Sequence, residues 1–300
     1  MRDEFGFEEI TSVEFCVSLR NADGTHINYL VPTDRSVQDT LKDVLDSTLN
    51  EIEPSDGDWH AYELSEKYGS KESLRADLAS AEMAGIRALY AEEGWEVNAR
   101  ALADPVKLVY YFAVFRDAQA RKLIGVRQAT QFKGTIKGHF LSFIDDTLKM
   151  IADRVFKLDN QFDFLVTARR VYVLHPAGFD RIAGIEEFAS ARARDITLRL
   201  GESVKFLDFT GLAEFVARHK RAARLVAALH KRDDLKAISR ALFCEAAKNT
   251  GVVLVTAGRK VSPTKGSEVG CLELLDHRRY VTTLRRGARP AFVASSRRPV

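Results

Sequence analysis

Residues 107–115, KLVYYFAVF, narrow the range of possible folds more than any other stretch of this chain. β-branched and aromatic residues stand side by side behind a single leading charge, so neither face of the segment is polar. A strand of that kind is buried on both sides, which places it in the middle of a sheet with other elements packed above and below. Residues 122–126 read as a second strand and residues 155–158 as a short third. Residues 162–166 and 171–174 flank Thr167-Ala168-Arg169-Arg170 and read as a hairpin.

The chain ahead of this region has its own pattern. Residues 8–31 alternate apolar and polar positions, with Val13, Phe15, Val17 and Leu19 on one side, a turn at Asn21-Ala22-Asp23-Gly24 and a return through residues 27–31. This predicts a β-hairpin. Ser36 is expected to cap a helix carrying Val37, Leu41, Val44, Leu45 and Leu49. Ser70 is expected to open a second helix that runs through Leu74, Leu78, Met83, Ile86 and Leu89 to end near Gly94. Beyond residue 175, Pro176 stops a strand and Gly178 leads into a helix. Helices are then expected over residues 212–231 and 233–248, followed by a hairpin over 252–255 and 259–261, a short helix at 271–275, and terminal strands at 280–284 and 291–294. The fold class read from this order is α+β. A small acidic N-terminal α/β unit, residues 1–103, precedes a basic mixed-sheet domain, residues 104–300, whose helical C-terminal part has a winged-helix-like order. The boundary is set at Ala103-Asp104-Pro105 because the sign of the charge changes there.

A net charge of +3 hides that change. Residues 1–100 hold 9 Lys and Arg against 22 Asp and Glu, whereas the rest hold 36 against 20. From His277 onward there are seven arginines and no acid. Such asymmetry implies that the basic part meets a polyanion or that the two parts meet each other. No apolar run approaches the ~20 residues of a membrane span. The opening MRDEFGFEEI lacks the basic and apolar regions of a secretory leader. Cys16, Cys244 and Cys271 lie far apart, which predicts buried thiols in a reducing cytoplasm rather than disulfides or a zinc site.

The motifs of familiar enzymes are missing. Residues 251–260, GVVLVTAGRK, look superficially like a phosphate loop, but the glycine spacing is too long and no Ser or Thr follows Lys260. There is no GxGxxG, HExxH or GxSxG, and the seven histidines are scattered. A metal nuclease needs clustered carboxylates. The basic part offers Asp145-Asp146, Asp163 and Asp233-Asp234, of which the last pair reads more simply as a helix cap. No catalytic residue, metal ligand or cofactor is therefore expected.

The strongest positive signal is cationic. Over residues 212–231, Leu212, Phe215, Val216, His219, Ala223, Val226 and His230 gather on one side at helical spacing. Lys220, Arg224 and Lys231 form a second stripe, with Arg221 and Arg232 beside it and Arg218 at its edge. Lys236 and Arg240 open the next helix, and Arg278, Arg279, Arg285 and Arg286 lead the arginine-rich tail. Cations aligned in this way can follow a phosphate backbone, which makes these twelve residues the candidate nucleic-acid contacts. A solvated helix face, or ion pairs to the acidic first third, would give the same pattern.

From residue 107 onward the chain resembles the KwaB-like family of Kiwa antiphage-defence proteins. The resemblance rests on KLVYYFAVF with KLIGVRQA, on Leu158-Asp159, Phe162-Asp163, Tyr172-Val173-Leu174 and Phe179, and on residues 271–284, CLELLDHRRYVTTL. It implies a DNA-binding effector that impedes phage replication and acts beside a small integral-membrane defence protein (KwaA-like). The membrane partner would recruit an otherwise cytoplasmic chain to the inner membrane. A homodimer or higher homo-oligomer is also expected. The rival readings are a metal-dependent nuclease with an unrecognised carboxylate site and an interaction module with no affinity for nucleic acid.

Overall fold

The computed structural model describes residues 1–53, 59–101, 108–129, 140–144, 147–151, 158–282 and 290–294. Of residues 140–144 and 147–151 only the backbone is described. The chain divides into two compact units: Met1–Ala61 with Ser70–Ala183, and Tyr62–Gly69 with Gly184–Val300. The charge step at residues 103/104 thus falls inside the first unit, because strands from both sides of it share one sheet.

In unit 1 the predicted hairpin is β1 (Ile10–Arg20) and β2 (His26–Val31), paired antiparallel with Cys16 opposite Leu30. Helix α1 (Arg35–Ile52) follows. Its cap is Asp34, two residues before the expected Ser36, and the carboxylate accepts from the Val37 amide at 2.9 Å. Next come β3 (His60–Ala61), β4 (Leu74–Asp77), α2 (Ala84–Ala91) and β5 (Glu96–Val97). Residues 74–77 are therefore a strand, not the start of the helix expected from Ser70. Leu74 and Ala76 are buried alternately with exposed Arg75 and Asp77, and the segment pairs with residues 170–173, nearly a hundred positions away. Helical structure begins only at the 3-10 turn Ala81–Met83.

The central strand is β6 (Leu108–Asp117), flanked by β1 and by β7 (Lys122–Gln128). A separate hairpin, β8 (Phe140–Ile144) with β9 (Thr147–Ile151), leads to β10 (Phe164–Val166) and β11 (Arg170–Val173). Helix α3 (Pro176–Ile182) ends the unit, with Pro at its start where a missing amide costs nothing. The sheet of the described residues has nine strands in the order β3-β4-β11-β10-β7-β6-β1-β2-β5, antiparallel except for β3/β4 and β2/β5. The strand expected at 155–158 lies almost wholly outside the described residues.

Both faces of β6 are covered, as its composition demands. On one face Tyr111, Ala113 and Phe115 join Phe15, Leu165, Tyr172 and the Leu41-Leu45-Leu49 stripe of α1 in a single core cluster. On the other, Phe112 meets Trp95 edge-on at 5.5 Å, and Phe164 meets Phe179 of α3 at 5.2 Å.

Unit 2 is mainly helical: α4 (Ile185–Ser203), α5 (Thr210–Val216), α6 (Lys220–Leu229) and α7 (Arg240–Asn249). Hairpin β12 (Leu254–Ala257) with β13 (Lys260–Pro263), helix α8 (Glu268–Leu275), and hairpin β14 (Arg279–Val281) with β15 (Ala291–Val293) complete it. The order of helices, short hairpin, short helix and arginine-bearing strands matches the reading of the sequence.

Two expected helices are shorter than predicted. The expected 212–231 helix is two helices, because His219 adopts an extended conformation and its ring nitrogen Nδ1 accepts from the Ala222 amide at 3.2 Å, capping α6. The expected 233–248 helix begins as the 3-10 turn Asp234–Ala237 and becomes α-helical only at Arg240.

Candidate nucleic-acid interface

Helix α6 is the structural centre of unit 2. Seven of its residues, Ala222, Ala223 and Leu225 to Leu229, are buried. It packs on α4 and α8, and the small residues Ala189 and Ala193 of α4 permit the approach. Its apolar surface is thus far wider than one stripe, and the cations are left a narrow strip at Lys220, Arg221 and Arg224. His230, expected among the apolar positions, is exposed. The helix break gives Arg218 and Lys220 separate settings, and Lys231 lies beyond the end of α6.

The twelve candidate cations fall into three groups. Arg232, Arg278, Arg279, Arg221 and Arg224 are tied down within unit 2. Arg278 is the extreme case: it is 2% exposed and donates to Asp276 at 2.6 Å, Glu66 at 3.0 Å and Ser65 at 2.8 Å. Arg232 bridges Asp234 and Asp276 and donates to the Leu275 carbonyl at 2.9 Å. Glu273, itself buried, accepts from Arg221 at 2.6 Å and from Arg279 at 2.9 Å. Arg224 donates to the Leu64 carbonyl and lies 3.4 Å from the Tyr62 hydroxyl. These bonds hold segment Tyr62–Gly69 and the α8–β14 junction against the helices. Charges committed in this way fix the fold of the unit, and of the five only Arg221 keeps an exposed side chain, at 42%.

The second group is exposed: Arg218, Lys220, Lys231, Lys236 and Arg240. Lys220 pairs with Glu186 across to α4 in a solvated contact, which contributes little and exchanges readily. Among the described residues, Arg218, Lys236 and Arg240 make no ion pair with an acid. The third group, Arg285 and Arg286, lies outside the described residues.

The local sequence held one usable sign of this sorting. Arg232 and Asp234, like Asp276 and Arg278, stand two positions apart and pair directly. The partner Glu66 is 212 positions from Arg278 and gave no such sign.

The carboxylates considered for metal chemistry are also placed. Asp163 accepts from Arg127 at 2.7 Å and from the Gln128 amide at 2.6 Å, and burial pushes its carboxyl above the usual range. Asp233 makes no side-chain cap, contrary to expectation, and Asp234 is engaged by Arg232. Asp145 and Asp146 lie outside the described residues. No group of three or more His, Cys, Asp or Glu that could hold a metal occurs among the described residues. No helix among them is long and apolar enough to cross a membrane.

A family model described as Kiwa protein KwaB-like matches residues 108–284, from the central strand of unit 1 through β14 of unit 2. No curated protein and no solved structure matches the chain.

Proposed function

Since the chain belongs to the KwaB-like family of Kiwa proteins, and so to a Kiwa antiphage-defence system, we propose that it is the DNA-binding, non-enzymatic effector subunit of that system. In this reading it grips the phosphate backbone and impedes replication of phage DNA. The observation that carries the proposal is the set of exposed cations not held by a buried acid: Arg218, Lys220, Lys231, Lys236 and Arg240. They run from the α5–α6 break to the start of α7. By sequence, unit 2 holds 24 Lys and Arg against 14 Asp and Glu, and unit 1 holds 21 against 28. A unit with that excess attracts a polyanion at long range, and cations without base-reading chemistry give contact that is largely independent of sequence. A small integral-membrane protein of the KwaA-like kind is the proposed partner that brings the chain to the inner membrane. The acidic unit is the proposed docking surface for it or for a second copy in a homodimer or larger homo-oligomer.

The test is binding to a generic duplex over a range of salt concentrations. Counterion release makes log affinity fall with log salt by about 0.9 per phosphate neutralised. The triple variant Arg218→Glu, Lys236→Glu, Arg240→Glu removes three contacts, so its slope is expected to be shallower by about 3. Absent or salt-independent binding by the parent chain would overturn the proposal and leave the interaction-module reading. Nicking of plasmid in Mg²⁺ or Mn²⁺ would instead establish the nuclease.

A further inference from the structure

Unit 1 is acidic overall, yet one part of its surface is not. Two adjoining concavities of about 700 and 550 Å³ share Tyr90 and the turn residues Ala168, Arg169 and Arg170. The first is also lined by Arg75 and Arg87, with Asp77 as its one acid. The second adds Arg116, Arg121 and Lys122, set against Asp3, Glu4 and Glu93. Together the walls carry seven cations and four carboxylates, and Asp117 behind the second wall pairs with Arg121 at 2.6 Å, which leaves an excess of two positive charges within a unit whose balance is negative.

Several of these cations are held in place rather than neutralised. Arg87 donates to the carbonyls of Leu78 at 2.8 Å and Ser80 at 3.2 Å, which orient the guanidinium without cancelling its charge. Arg116 and Lys122 share the single carboxylate of Glu93. The Lys122 ammonium also lies 4.8 Å from the centre of the Tyr90 ring, and the Tyr90 hydroxyl donates to the Lys122 carbonyl at 3.0 Å. Arg169 sits on a rigid two-residue turn. The Thr167 amide donates to the Arg170 carbonyl at 2.9 Å, and the Arg169 carbonyl accepts from Leu78 at the same distance. Among the described residues, the exposed side chains of Arg75 and Arg169 make no ion pair.

Arginine forks presented from a fixed turn, in a hollow of small-molecule size, are suited to phosphate. The rest of the wall of the first concavity is mostly alanine (Ala61, Ala76, Ala79, Ala91 and Ala168), which leaves room for a ligand close to the backbone. Asp3, Glu4 and Glu93 border the second concavity and would repel a phosphodiester chain running through it. We infer that this double hollow is a binding site for a compact phosphate-bearing ligand of nucleotide size, with Arg75, Arg87 and Arg169 on the phosphates. The site belongs to unit 1, whereas the proposed duplex contacts belong to unit 2.

The test uses the full chain, with ATP and inorganic tripolyphosphate as probes, read by titration calorimetry and by thermal shift. ATP is expected to bind with a Kd below about 1 mM. The double variant Arg75→Ala, Arg169→Ala, which alters only exposed side chains, is expected to weaken binding at least tenfold with an unchanged circular dichroism spectrum. Tripolyphosphate binding as tightly as ATP would assign recognition to the phosphates alone, and weaker binding would add a share for the nucleoside; both outcomes support the site. No binding of either probe, or undiminished binding by the double variant, would overturn it. So would a double variant that loses duplex affinity while neither small probe binds, since the hollow would then serve nucleic acid. The Arg218, Lys236 and Arg240 charge reversal is expected to leave ATP binding unchanged, which separates failure of this inference from failure of the duplex proposal.

Discussion

Replacing Arg278 with Met distinguishes a structural arginine from a DNA-contacting one. The guanidinium is 2% exposed and donates charge-assisted or polar bonds to Asp276, Glu66 and Ser65. Methionine fills much of the same volume, so the cost is chiefly electrostatic. The Glu66 and Asp276 side chains, 5% and 2% exposed, both lose this guanidinium, and Asp276 retains Arg232 only at 3.4 Å. Removing one partner of such a cluster costs about 3–5 kcal/mol. For a unit of this size that is a fall of roughly 10–20 °C in Tm. The assay is urea unfolding, followed by a probe in unit 2, because two units need not unfold in one transition. Duplex affinity of the folded variant should match the parent. A loss of stability below about 1 kcal/mol together with a shallower salt slope would refute the reasoning and return Arg278 to the interface.

Two further outcomes are expected. At Gly125 in β7 an added Cβ would lie 2.6 to 2.8 Å from the ring of Phe162, which is fully buried, so Gly125→Ala should cost about 1–3 kcal/mol in urea unfolding; a neutral effect would show that the ring can move. The hydrogen bond from Arg232 holds the Asp234 carboxyl at about 2, below its ordinary 3.8, so its contribution is full above pH 4 and is lost as pH falls through 2. Carboxyl titration followed by NMR should show that midpoint in the parent, and Arg232→Gln should move it back toward the ordinary value.

The sheet was legible where burial leaves a mark on composition. KLVYYFAVF reads as a central strand because both of its faces are covered, and residues 8–31 read as a hairpin because alternation and an Asp-Gly turn are local features. Residues 74–77, LRAD, carry no such mark. They are equally compatible with a helix and become a strand only by pairing with residues 170–173. The break at His219 was hidden for a similar reason: apolar periodicity continues across it, and only the ring's bond to the Ala222 amide restarts the helix. The basic face was half legible. Sequence shows which residues are cations, but whether each is free depends on which acid the fold brings to it.

By itself, then, the sequence determined the α+β class, the central strands, the order of elements in unit 2 and the KwaB-like resemblance, because these follow from local pattern and composition. The tertiary structure decided the rest. It placed strands from the first hundred residues in the same sheet as the central strands and Tyr62–Gly69 in unit 2, so the division into units does not follow the division in charge. It also brought Glu66, Glu273 and Asp276 against four of the arginines, giving each of them an ion pair inside unit 2. The physical reason is the same in both cases: strand pairing and ion pairing act through space between residues far apart in the chain, and a charge in a protein interior must find its partner wherever the fold supplies one.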